Sequence, residues 1–123
     1  MRLWHYKLIP VLPRNQILGQ HRECCALRGK GWGRKHATVN YVFEHPYYYL
    51  FVYHLEVMRE MRRRDYKVDE NWMDRTYRGK LIGDDFSNFT DFVPNFQNYP
   101  EHNEAYLQEC IANLAEKGIN ICL

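Results

Sequence analysis

The stretch LPRNQILGQHRECCALRGKGWGRK, residues 12–35, decides the fold. It reads as a basic helix running into a glycine-broken basic loop. Pro13 suits the first turn of a helix, because proline lacks only an N–H that is unpaired there anyway. Gly29 is placed to stop the helix with a left-handed residue. At 100° per residue, Ile17, Leu18, His21, Cys24, Cys25 and the stem of Arg28 share one face, an ordinary amphipathic pattern. Glu23 lies off that face, beside Gln16, Gly19, Gln20 and Leu27. Gly19 is one turn before Glu23 and costs about 1 kcal/mol relative to alanine in mid-helix. It leaves space in front of the carboxylate, which points to something approaching the helix there.

Charge singles out the same region. From Met1 to His36 there are eight basic side chains and one acid, Glu23, a net +7. Residues 84–123 carry seven acids and one lysine, a net −6, so the overall +2 conceals a polarised molecule. A concentrated positive region suggests a polyanion, with Lys and Arg on phosphates. The bland reading is a solvated basic face.

Length and composition bound the rest. A chain of 123 residues, 46% hydrophobic, is one domain spanning 1–123 with a workable core. No apolar run reaches the ~20 residues of a membrane span, and MRLWHYKLIP lacks the apolar centre of a signal peptide. Cysteines 24, 25, 110 and 122 form no CxxC or usual zinc spacing, so reduced, mostly buried thiols of a cytoplasmic protein are expected. Residues 2–9 suggest an extended or irregular arm packing Leu3, Trp4 and Ile9 on the core. In GKGWGRKH, glycines 31 and 33 allow close backbone approach to a ligand and the bases suit phosphates. Trp32 suits stacking on a base, wedging into a duplex, or covering the core.

Residues 36–44, HATVNYVFE, suit a strand by their β-branched residues with Tyr41 and Phe43, and a short helix by the step 39, 42, 43; the helix is the expectation. Pro46 opens the clearest one, 46–64, with Tyr47, Leu50, Phe51, His54, Leu55, Met58 and Met61 as its core stripe. Arg59 and Arg62, Arg63 and Arg64 sit where cations favour the helix C-terminus, DNA contact being the sharper alternative. Phe86, Phe89, Phe92, Phe96 and Tyr99 recur among turn-forming residues, as in a loop pinned by aromatics. A last helix, 101–117, ends at Gly118. The expected fold is mainly α: a compact single domain of about three main helices with long aromatic-rich loops.

The six histidines form no HExxH or other zinc signature, so no metal site and no cofactor is expected. A serine nucleophile motif and a nucleotide P-loop are absent. Glu23 is the best catalytic candidate. A carboxylate among bases tends to ionise, and can stabilise a developing cation or take a proton. A salt bridge with Arg22 is the structural alternative.

The run Asn15-Gln16-Ile17-Leu18-Gly19-Gln20-His21-Arg22-Glu23 resembles the first helix of the pyrimidine-dimer DNA glycosylase/abasic-site lyase family known from a bacteriophage. Arg22-Glu23 falls at that family's active-site position, and Arg34-Lys35-His36 has a basic counterpart there. MRLWH, LPR and GQHRECCALRG are shared with small bacterial proteins grouped with the family. The resemblance covers roughly the first 36 residues and is one of pattern beyond them. It implies base excision from damaged or abasic double-stranded DNA. An α-amine at the chain start attacks C1′ and forms an imine, a first-helix glutamate assists, and β-elimination cuts the strand. Two positions depart from the phage pattern. Phage members expose a threonine amine after methionine removal; here Arg2 follows Met1, so the amine is that of Met1 or of a lysine such as Lys7. Gln16 stands where they carry histidine.

Glu23, Met1 and Arg22 are thus the expected catalytic residues. Arg2, Arg14, His21, Lys30, Trp32, Arg34, Lys35 and His36 are the expected DNA-binding ones. The protein is expected to act as a monomer. The rival readings are a non-catalytic nucleic-acid-binding module and a protein-interaction domain on the same fold.

Overall fold

In the computed structural model the described residues are 2–29, 39–74, 77 and 98–121. Three α-helices carry the fold: α1, Arg14–Arg28; α2, Tyr47–Arg63; and α3, Glu104–Glu116. Short 3-10 turns occupy Tyr6–Val11, Asn40–Glu44 and Glu70–Met73. Among the described residues there is no strand, as the mainly α reading expects. The aromatic-rich stretch around Phe86, Phe89, Phe92 and Phe96 lies outside the described residues, as do Met1, Lys30, Trp32, Arg34, Lys35 and His36.

Helix α1 begins after Pro13, whose carbonyl accepts from the N–H groups of Gln16 and Ile17 at 3.0 Å each. It ends at Gly29, but with φ −90°, not in the left-handed region the sequence suggests. The last helix does end that way: Gly118 has φ 82°, and Ile119 N–H reaches back to Leu114 O at 2.9 Å. Helix α3 starts three residues later than expected because the Asn103 side chain accepts from Tyr106 N–H at 2.9 Å and sets the cap there. Helix α2 matches its predicted span, and its buried stripe is wider. Tyr53, Val57 and Glu60 join Leu50, His54, Met58 and Met61 inside, while Phe51 and Leu55 are half-buried. The helix is covered on two sides, by α1 and by the amino-terminal arm.

The arginine run at the end of α2 serves the fold. Arg64 donates to Glu60 Oε2 at 2.8 Å and to the carbonyls of Leu12 at 2.7 Å and Pro10 at 3.0 Å, tying α2 to the segment before α1. Arg63 also pairs with Glu60, and Arg62 with Glu70.

The arm is the unusual element. Leu3, Trp4, Leu8 and Ile9 are buried in the common core with Ile17, Leu27, Val57 and Leu114. A buried peptide needs partners for its N–H and C=O groups, and among the described residues no strand lies alongside. Side chains of all three helices supply them. Tyr106 of α3 donates to Leu3 O at 2.6 Å, Tyr53 of α2 to Trp4 O at 2.6 Å, and Gln20 of α1 accepts from Trp4 N–H at 2.8 Å. His5 stacks on Tyr6 and His102, with centroids 4.5 and 5.5 Å apart.

Candidate active site

The arm crosses α1 at Glu23. The Arg2 backbone N–H donates to Glu23 Oε2 at 3.3 Å, and Gln20 Nε2 donates to the same oxygen at 3.2 Å. Both residues face the arm because they lie three apart on one helix flank. Burial pushes the Glu23 carboxyl above its ordinary value, against the two hydrogen bonds and the charge of Arg22, which favour the carboxylate. The alternative Glu23–Arg22 ion pair is absent: Arg22 is exposed and its guanidinium lies towards Gly19.

A cavity of about 310 Å³ opens at this junction, lined by Arg2, Trp4, Gln16, Gly19, Gln20, Glu23, Asn113 and Lys117. Gly19 thus lines the space in front of the carboxylate, as its position in the sequence suggests. A further cavity, of about 340 Å³, lies among Tyr6, Pro10, Tyr53, Glu56 and Arg63 and holds none of the Glu23 junction. Asn113 of α3 and Lys117, the residue that caps its end, carry no local sequence signal; only tertiary folding brings them to α1.

The other flank of α1 holds a second polar group. Arg28 is fully buried, its head as well as the stem that the helical pattern places inside. It donates through Nε to Tyr47 Oη at 2.9 Å, and through its other nitrogens to the carbonyls of Trp72 (2.7 Å), Asp74 (2.9 Å) and Tyr77 (3.1 Å). The Phe51 and Trp72 rings lie 5.1 and 5.0 Å from its guanidinium carbon. Nη1 also meets His54 Nδ1 at 2.9 Å, and His54 Nε2 meets His21 Nδ1 at 2.8 Å. Cys25 Sγ is 3.8 Å from both Nε2 atoms.

His21, Cys25 and His54 bring their donor atoms within 4.8 Å of one another, a grouping that sequence spacing did not reveal because His54 comes from α2. Its polarity opposes a metal ion. A guanidinium only donates, so His54 Nδ1 accepts; the neutral ring then carries its proton on Nε2 and gives it to His21 Nδ1. A metal at His54 Nε2 would have to displace that proton beside a buried cation. Burial, with Arg28 nearby, holds His54 well below the usual imidazole range, and burial pushes the Cys25 thiol up to about 12.

Of the expected DNA-binding residues, His21 is therefore turned inward rather than outward. Arg2 lines the cavity and pairs with Glu109 at 3.2 Å. Arg14 is exposed at the start of α1, 5.2 Å over the Tyr66 ring and away from the cavity. Lys7, the alternative amine, is exposed and does not line the cavity either; the lysine that does is Lys117.

A carboxylate held against the head of the chain, at the mouth of a polar cavity on a basic helix, is an arrangement suited to amine-based chemistry on an anionic substrate. A family model described as pyrimidine dimer DNA glycosylase matches residues 1–74, which include the arm, α1 and α2. The chain belongs to the pyrimidine dimer DNA glycosylase family. That family is one of DNA repair enzymes whose substrate is DNA. No curated protein and no solved structure matches the chain. None of the described helices is long and apolar enough to cross a membrane.

Proposed function

We propose that the protein excises a damaged base from duplex DNA and cuts the strand at the abasic site through an amine–imine intermediate, acting as a cytoplasmic monomer. The observation that carries this reading is the 3.3 Å contact between the Arg2 nitrogen and Glu23 Oε2 beside the cavity. It puts the residue following Met1 against the one carboxylate of a basic segment.

The α-amine of Met1 is the nucleophile in this reading. Its reference pKa of about 7.7–8.0 leaves a usable neutral fraction at physiological pH. Attack on C1′ expels the base with the glycosidic electrons, and loss of the amine proton and ring opening give the imine. Removal of a C2′ proton then drives β-elimination, with the 3′ phosphate as leaving group. Glu23 stabilises the cationic intermediate and accepts the proton. The target nucleotide must leave the stack, which costs a few kcal/mol and least at damage. Arg22, Arg2, Arg14, Lys30, Arg34 and Lys35, with Trp32 and His36, hold the distorted backbone.

Borohydride trapping on a duplex with one abasic site tests this, using native protein without an amino-terminal tag. Reduction of the imine is expected to leave a covalent adduct on the peptide that begins at Met1. An adduct on Lys117 would keep the enzyme and move the nucleophile across the cavity. No adduct, with salt-dependent DNA binding intact, would overturn the lyase and leave a binding module.

A further inference from the structure

We propose that Gln20 is a positioning residue that fixes the head of the chain against Glu23, and that Tyr53 holds Gln20 in place for this task. The inference rests on the functional reading above for what is being positioned. The geometry itself stands apart from that reading.

A glutamine amide has two acceptor sites on its oxygen and two N–H donors. Gln20 uses both of its donors and at least one acceptor site. Oε1 accepts from Trp4 N–H at 2.8 Å, and the Tyr53 hydroxyl, 3.0 Å from Oε1, shares its single proton between Oε1 and Trp4 O. Nε2 donates to Arg2 O at 3.1 Å and to Glu23 Oε2 at 3.2 Å. The amide cannot be turned over, because Trp4 N–H only donates and Arg2 O only accepts. Gln20 borders the cavity but is only 1% exposed, so its amide is spent on the arm and on Glu23. It grips residues 2 and 4 of the arm from a position one turn before Glu23 and shares a carboxylate oxygen with the Arg2 N–H. Among the described residues the arm has no strand beside it, and this amide sets its register on α1. Tyr53, whose hydroxyl also reaches Trp4 O at 2.6 Å, closes the network from α2.

Other groups around Glu23 do a different task. Arg22 acts by charge from the same helix. Arg2 is drawn towards Glu109 of α3, and Lys117, at the end of α3, lines the far side of the cavity. None of these holds both the arm and the carboxylate.

The test uses full-length Gln20→Leu, Gln20→Glu and Tyr53→Phe. Three quantities are read: the single-turnover rate on an abasic duplex, the DNA dissociation constant, and the Glu23 carboxyl titration followed by carbon NMR. Gln20→Leu should slow cleavage about 10²-fold, as expected when reacting groups drift by about 1 Å. DNA affinity should stay within about twofold, since Gln20 is only 1% exposed and its polar atoms are bonded within the protein. The Glu23 midpoint should rise by about one pH unit, because a donor to the carboxylate is lost. Gln20→Glu should raise it further, since it keeps the acceptor for Trp4 and puts a negative charge beside Glu23. If the Gln20 variants do not fold, Tyr53→Phe carries the test, with a rate loss of about tenfold and unchanged affinity. A folded Gln20→Leu or Tyr53→Phe with the wild-type rate overturns the proposal, as does a Gln20→Leu with an unmoved Glu23 midpoint. Failure of the wild type to cleave overturns the functional reading instead, and the Glu23 titration then still decides Gln20.

Discussion

The two flanks of α1 treat buried charge in opposite ways. On one, Arg28 sits among Tyr47, His54, three backbone carbonyls and two aromatic faces, and the hydrogen-bond direction runs inward to His21. On the other, Glu23 meets the arm's nitrogen and Gln20 at a cavity lined by polar groups from two helices and the arm. A cation whose donors are matched by internal acceptors is part of the scaffold. A carboxylate beside a cavity, bonded through one oxygen among the described residues, suits the proposed chemistry. The comparison teaches that burial and shifted ionisation mark both flanks; what separates scaffold from site is whether the polar group adjoins open space.

The largest test of the contrast is Arg28→Met. It leaves the carbonyls of Trp72, Asp74 and Tyr77 without their donor, so urea unfolding should show a loss of at least about 4 kcal/mol. A loss below about 1 kcal/mol would mean that this flank is not closed. Glu23→Gln should do the reverse. It removes a half-buried carboxylate whose ionisation burial disfavours, so the unfolding midpoint should hold or rise. Cleavage of an abasic duplex should fall by about 10²–10⁴-fold with DNA binding retained. Equal activity would remove Glu23 from the mechanism.

The closed flank also predicts a pH dependence. His54 is held well below 6.5 in the folded protein, first by burial and then by Arg28. The unfolded chain takes up this proton near pH 6.5 while the folded one does not, so stability is lost as pH falls below about 6.5. Each such histidine contributes a slope of about 1.4 kcal/mol per pH unit. His102, pushed down to about 3 by burial, adds to the slope. His54→Gln should reduce the measured slope between pH 6 and 5 by one proton. An unchanged slope would mean that His54 is not buried and neutral.

Much of this was legible in the sequence, and the exceptions share a cause. Helical periodicity and proline and glycine placement located α1 and α2, and the lone acid among bases marked Glu23. Asn103 was missed as a cap because the helical pattern continues upstream of it. The helical pattern places only the stem of Arg28 inside, because the acceptors of its head lie on residues 47, 54, 72, 74 and 77 and no local pattern records them. His54 belongs to the core stripe that the periodicity marks, but its pairing with His21 across two helices follows no local pattern. The junction of the arm with Gln20 was invisible for a further reason. Residues 2–5 of the arm have no regular structure, so their partners follow no period.

Gly19 offers the finest test of the open flank. A glycine in mid-helix sacrifices about 1 kcal/mol relative to alanine, and nothing in the fold requires it here. An added Cβ would meet only Arg22 Nη2, at 3.6 Å, an ordinary contact. Packing alone therefore favours alanine, and Gly19→Ala should raise stability by up to about 1 kcal/mol in urea unfolding. The methyl group, however, would enter the space lined by Gly19 and Glu23. If a nucleotide must come close to the helix there, the more stable variant should cleave more slowly, by a few-fold, with its Glu23 titration unmoved. A variant that gains stability and keeps the full rate would mean that substrate approaches Glu23 from another side, past Asn113 and Lys117. Substitution of those two residues would then carry the larger effect.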